Sequence, residues 1–217
     1  MAAQYLRERR RSAAACYQTD RNGPKIFVGE WATREGLPTP NFGSALGDAA
    51  WMTGMERNSD IVIMASYAPL LVNVNPGGMQ WESDLIGYDA MNSYGSPSYY
   101  AQVMFSNHLG DEILNAALEG LAPKLFYSAT RKSSDGTVYL KLVNASSTPL
   151  PLHLQFKGAI EKTGKLIALS AKTTAATNSI TQATAIVPVE SGLHDLGAQF
   201  AHTIPGFTIQ VLELKAK

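Results

Sequence analysis

The sequence predicts two architectures in one chain: βα units of α/β type up to about residue 122, then an antiparallel β-sandwich, jelly-roll-like, from 123 to 217. Three observations carry this reading. Two β-favouring apolar runs, Ile26-Phe27-Val28 and Ile61-Val62-Ile63-Met64-Ala65, flank a segment with helical spacing. From about Pro123 the pattern changes to short strands separated by turn residues. A strand–helix–strand order followed by strands alone belongs to two kinds of layer packing, not one.

Composition narrows the classes. The 217 residues carry 18 basic and 18 acidic side chains, so there is no bulk electrostatic case for nucleic acid or an acidic membrane surface, and neither partner is expected. The single cysteine, Cys16, excludes an internal disulfide. No apolar stretch reaches the length of a membrane span; the longest, 61–74, is interrupted by Ser66, Tyr67 and Pro69. No metal or cofactor is expected, since no two histidines stand at ligand spacing. Residues 1–19 stand apart. Arg7, Arg9, Arg10 and Arg11 have one acid among them, Glu8, and the short Ala13-Ala14-Ala15-Cys16 is no signal-peptide core. An Arg-rich presequence and a solvated, frayed helix are the two readings of that segment.

The first strand reads as buried on both faces. Gly29 follows it, and then Glu30 stands where the strand surfaces. An ionised Glu is rarely buried without a partner, so its position fits either a cleft carboxylate or a turn residue pairing with Arg34. Thr39-Pro40-Asn41 opens a helix whose apolar side is Phe42, Ala45, Leu46, Ala49, Ala50, Met52 and Met55, ended by Arg57-Asn58-Ser59-Asp60. The second strand is 61–67. Strand, helix and strand make a βαβ unit, with parallel strands and a right-handed crossover.

A long loop, 69–97, follows, holding Asn73, Asn75-Pro76-Gly77-Gly78 and Gln80-Trp81-Glu82. It is either a functional loop at the carboxyl ends of strands or a surface loop packed by Trp81 and Tyr88. Ser96-Pro97 caps a second helix with packing residues Tyr99, Tyr100, Val103 and Met104; His108 near its end suits the helix dipole better than a ligand role. Strands are then expected at 125–130, 138–144, 150–156, 166–170, 186–189, 199–203 and 207–214. The Thr/Ala/Ser stretch 173–184 reads as a weak strand or loose loop. Two parallel strands make no stable sheet alone, so another chain, or more of this one, is expected to complete it.

Several separated motifs, in order, closely resemble the α-L-arabinofuranosidases of glycoside hydrolase family 51, plant branch especially. They are Gly23-Pro24-Lys25-Ile26-Phe27-Val28-Gly29-Glu30-Trp31-Ala32, the run Leu46 through Asn58, Pro69-Leu70-Leu71-Val72-Asn73-Val74, and Met79-Gln80-Trp81-Glu82-Ser83-Asp84-Leu85-Ile86. The resemblance implies the end of a (β/α)8 barrel followed by a β-sandwich, with strands 26–30 and 61–67 as the seventh and eighth of the barrel. It implies a retaining hydrolase that removes terminal arabinofuranosyl groups from arabinoxylan and arabinan, in the extracellular space or cell wall. The family's nucleophile matches Glu30. Retention needs a second carboxyl group about 5–5.5 Å away as acid/base, and the family's is a Glu in an Asn-Glu pair on strand four. This sequence has no Asn-Glu pair and no segment for strands one to six. The expectation is therefore a C-terminal portion, inactive alone. Glu82 and Asp84 remain for contact with sugar hydroxyls, Trp31 and Trp81 for stacking on a sugar or packing, and Tyr67 for a hydrogen bond to Glu30. The rival expectation is a non-catalytic carbohydrate-binding or enzyme-associating sandwich with an exposed aromatic platform. Residues 123–217 are expected to fold without the rest.

Overall fold

The computed structural model describes residues 20–217; both readings of the basic segment at 1–19 lie outside the described residues. Strand β1 (Ile26–Trp31) pairs in parallel with β2 (Val62–Tyr67), and helix α1 (Phe42–Arg57) connects them. Trp31 stands opposite Tyr67 at the carboxyl ends of the two strands. Helix α1 starts where it does because Asn41 Oδ1 accepts the Ser44 N–H at 3.0 Å, filling one of the helix's free first-turn donors. The loop before it is drawn tight: the Asn41 N–H donates to Glu35 O at 2.8 Å, and Ser44 Oγ donates to the same oxygen at 2.7 Å. Gly36 takes a positive φ of 102°, and a Cβ there would lie 2.6 Å from Asn41 N, so only glycine fits.

The long loop holds more structure than its sequence suggests. It folds into a small sheet of β3 (Leu71–Asn73), β4 (Ile86–Tyr88) and β5 (Ser93–Gly95). Helix α2 (Pro97–Asn107) follows, capped by Ser96 Oγ accepting the Tyr99 N–H at 3.2 Å. His108 ends it with Nδ1 2.7 Å from Met104 O, in keeping with the dipole reading.

The remainder is a six-stranded antiparallel sheet and a two-stranded one. The larger sheet contains β6 (Glu112–Ile113), β7 (Leu125–Lys132), β8 (Thr137–Asn144), β10 (Gly164–Ser170), β11 (Val189–Leu193) and β13 (Thr208–Lys215), in the order β11-β10-β13-β8-β7-β6. The smaller pairs β9 (Leu150–Gln155) with β12 (Gln199–Ile204). β11 begins where the expected 186–189 strand ends, because Ile186 is taken up by Asn178, whose side chain accepts the Ile186 N–H at 2.8 Å and donates to its carbonyl at 2.9 Å.

The central strands β8 and β13 are buried on both faces. Val138, Leu140, Leu142, Leu212 and Leu214 meet Leu152, Leu154, Phe156 and Phe200 of the smaller sheet's side. Val143, Ile209, Val211, Ile167 and Leu169 meet Phe42, Ala45, Leu46, Ala49, Met104 and Phe105 of the helices. The larger sheet is thus a middle layer between the smaller sheet and the two helices. The boundary at 122/123 is crossed by the larger sheet, whose β6 precedes it, and by the core shared with the helices, so 123–217 alone would lack part of both.

Further ties cross that boundary. Lys141, fully buried in β8, pairs with Glu56 of α1 and donates to Phe105 O at 3.2 Å. Ser128 Oγ donates to the other Glu56 oxygen at 2.5 Å. The stretch 173–178 straps over the first turn of α1: the Phe42 N–H donates to Ala176 O and the Gly43 N–H to Thr174 O, both at 2.8 Å. These are two of the donors that a helix start leaves open. Asn178 Nδ2 also reaches Gly95 O at 2.9 Å.

Strands β1 and β2, read from their apolar runs as buried on both faces, expose apolar surface, as two parallel strands without neighbours should. Phe27, Ile63 and Met64 are more than half exposed. Among the described residues the two strands pair only with each other, and α1 covers one face, so the other stays open.

Candidate active site

The carboxyl ends of β1 and β2 bring together Glu30, Trp31 and Tyr67. Glu30 stands exposed one residue before the strand ends. Trp31 and Tyr67, 7% and 8% exposed, belong to the core and meet edge to face at 5.1 Å. Of the two readings of Trp31, packing is what the fold displays. The Tyr67 hydroxyl donates to Asp48 Oδ2 at 3.2 Å, a partner other than the expected Glu30. Asp48, on α1 and fully buried, also accepts the Thr33 N–H on Oδ1 at 2.7 Å.

The loop residues lie differently. Trp81 is 66% exposed and Glu82 is exposed beside it, so Trp81 does not pack its loop. Asp84 is buried with neither oxygen hydrogen-bonded, next to Ser83 at a positive φ of 65°. Burial raises the Asp84 carboxyl above the usual carboxylate range, with the Arg34 charge acting the other way. The Arg34 charge thus acts on Asp84, a partner that the turn reading of Glu30 with Arg34 did not include. Among the described residues no three His, Cys, Asp or Glu side chains group as a metal site.

Sequence reasoning passed over Asp48 and Asn178. Asp48 had a legible signal: an acid inside the small, apolar run Leu46-Gly47-Asp48-Ala49-Ala50 must find partners once that run is buried. Asn178 had none, since its partners come from distant loops.

A family model described as the α-L-arabinofuranosidase C-terminal domain matches residues 29–207, most of the chain. The chain belongs to that family. The arabinofuranosidase region is 36% identical over 195 residues to a probable α-L-arabinofuranosidase A of Aspergillus terreus, covering 89% of this chain and 30% of that protein. It is 37% identical over 178 residues to α-L-arabinofuranosidase 2 of Arabidopsis thaliana, covering 80% of this chain and 26% of the relative. The chain thus spans less than a third of the length of these curated relatives. Among solved structures, the arabinose-bound MgGH51 α-L-arabinofuranosidase superposes with a TM-score of 0.88 at 35% identity, over 100% of this chain and 35% of that one. An arabinose complex of the Thermotoga maritima α-L-arabinofuranosidase gives 0.80 at 16% identity over 98% of this chain and 48% of that one, a likeness of fold alone.

Proposed function

We propose that this chain is the C-terminal part of a retaining α-L-arabinofuranosidase, with Glu30 as nucleophile and the acid/base outside the chain. In this reading β1-α1-β2-α2 are the last two βα units of a (β/α)8 barrel, and the substrate is a terminal arabinofuranosyl group on arabinoxylan or arabinan. The supporting observation is the exposed carboxylate of Glu30 at the carboxyl end of a parallel strand, where βα folds build their sites. The open face of β1 and β2 is then the side that the remaining barrel strands cover. In this reading Trp81 and Glu82, exposed on the loop after β2, meet the sugar. The Glu30 carboxylate attacks the anomeric carbon, and an acid must protonate the leaving oxygen as that bond breaks. Losing that acid costs about 10²–10⁴ in rate. The binding-module reading is not favoured, because Tyr127, Tyr139, Phe156, Phe200 and Phe207 all pack against the two cores.

An aryl arabinofuranoside with a good leaving group tests this, since it needs little acid help. The chain alone is expected to give no turnover. Co-expression with the part of the Aspergillus terreus relative that precedes the matched region is expected to give turnover that Glu30→Ala abolishes. Turnover that survives Glu30→Ala overturns the nucleophile assignment. Turnover of that substrate by the chain alone overturns the inactive-alone reading; if a substrate with a poor leaving group is also turned over, the acid/base lies within the chain and Glu82 and Asp84 are the residues to mutate.

A further inference from the structure

We infer that Asp48 is a positioning residue that fixes the carboxyl ends of β1 and β2, and with them Glu30; its importance for catalysis rests on the nucleophile reading above. The Asp48 carboxylate has no solvent exposure and sits on the middle of α1. Buried there, it is tolerable only with strong partners. Two such partners come one from each strand end. Thr33 N–H, three residues beyond Glu30, donates to Oδ1 at 2.7 Å, and Tyr67 Oη, at the last residue of β2, donates to Oδ2 at 3.2 Å. Hydrogen bonds to a carboxylate are shorter and stronger than neutral ones.

The rest of the arrangement follows from that anchor. Tyr67 is the register partner of Trp31, the residue after Glu30, and its ring supports the indole at 5.1 Å. The Trp31 carbonyl accepts the Ala68 N–H at 3.3 Å, closing the link between the strand ends. Helix α1 comes close enough to act because residue 47 is glycine: a Cβ there would lie 2.7 Å from Thr33 Oγ1. Glu30 itself projects from a short segment whose far side is pinned by one carboxylate. A nucleophile displaced by about 1 Å loses on the order of 10²-fold in rate.

The test uses the full chain and does not need turnover, so it stands or falls apart from the nucleophile assignment. Amide exchange and the side-chain carboxyl ¹³C resonance of Glu30 are measured in Asp48→Ala, Asp48→Asn and Tyr67→Phe. Asp48→Ala is expected to speed exchange at Thr33 and Ala68 by on the order of tenfold or more, and to shift the Glu30 resonance, with Val211 and Leu212 of β13 unchanged. Asp48→Asn is expected to restore most of the protection, because its amide can still accept from Thr33 and donate to Tyr67. Tyr67→Phe is expected to speed Ala68 and leave Thr33 protected, which decides the matter should Asp48→Ala not fold. Unchanged Thr33 and Glu30 signals in Asp48→Ala, or equal acceleration in β13, overturn the inference. So does Tyr67→Phe with no effect at Ala68.

Discussion

Asp84 lies almost wholly buried, and neither of its oxygens has a hydrogen-bond partner. Its carboxyl is raised above the ordinary 3.8, by burial first. Between 3.8 and the folded-state value the folded chain binds more protons than the unfolded one. The group's contribution to stability is therefore full below about 3.8 and lost as pH rises through the folded-state value. Asp84→Asn is expected to raise the thermal midpoint at pH 7 and to leave it nearly unchanged near pH 3. A midpoint at pH 7 equal to or below the parent's contradicts this. Asp135 has the opposite sign. The Thr137 hydroxyl and the Thr137 backbone N–H, in that order, lower its carboxyl to about 2, and it stands in the hairpin turn between β7 and β8. Its contribution is present above 3.8 and lost as pH falls toward 2; in Thr137→Val an NMR titration of Asp135 should move upward. Glu30 was legible as a candidate because a strand end is a local feature. Asp48 was half legible, since the demand for partners showed in the sequence while Thr33 and Tyr67 as the partners did not.

At the scale of elements, α1 and α2 were legible in outline because capping residues and apolar spacing are local. Asn41 and Ser96 both cap as their types suggest. The short strands β3, β4, β5 and β6 were not, for two or three residues carry too little period to read. Nor was the meaning of Lys141. Lys141 alternates along β8 with Val138, Leu140 and Leu142, and α1 and α2 cover its face as well. Burial lowers the Lys141 ammonium's pKa, and Glu56 opposes the shift. Removing one partner of such a pair strands the other without compensation. Glu56→Gln is expected to cost about 3–5 kcal/mol in denaturant unfolding, and Glu56→Leu with Lys141→Met to recover most of it. A loss below 1 kcal/mol in Glu56→Gln, roughly the worth of an exposed pair, would show that water reaches the ammonium. The open face of β1 and β2 carries its own expectation. Parallel strands with unpaired edges and apolar side chains outward favour association, so the chain should bind a hydrophobic dye and self-associate with concentration. Phe27→Ser with Ile63→Thr should reduce both, and unchanged dye binding in that variant would place the apolar surface elsewhere.

For the molecule as a whole, two architectures were legible, while their fusion into one packed body was not. That fusion depends on which face of the large sheet the helices choose, and Val143, Ile209 and Val211 reveal it only once they are seen against Phe42 and Phe105. Residues 123–217 expressed alone would expose those side chains and leave Lys141 without Glu56. That segment is expected to be unfolded or insoluble, and the complete chain to melt in a single transition. Residues 115–121 are exposed throughout, so a protease should cut there without separating the pieces. A soluble 123–217 with sharp, dispersed amide signals would refute this. The strap over α1 has a consequence in time. Phe42 and Gly43 donate to carbonyls that lie more than a hundred residues further along the chain. A ribosome adding about 5–20 residues per second releases the helix on the order of ten seconds before its own lid is made. During that interval those two donors have only water to bond with, and the helix that carries Asp48 is finished by a stretch made long after it.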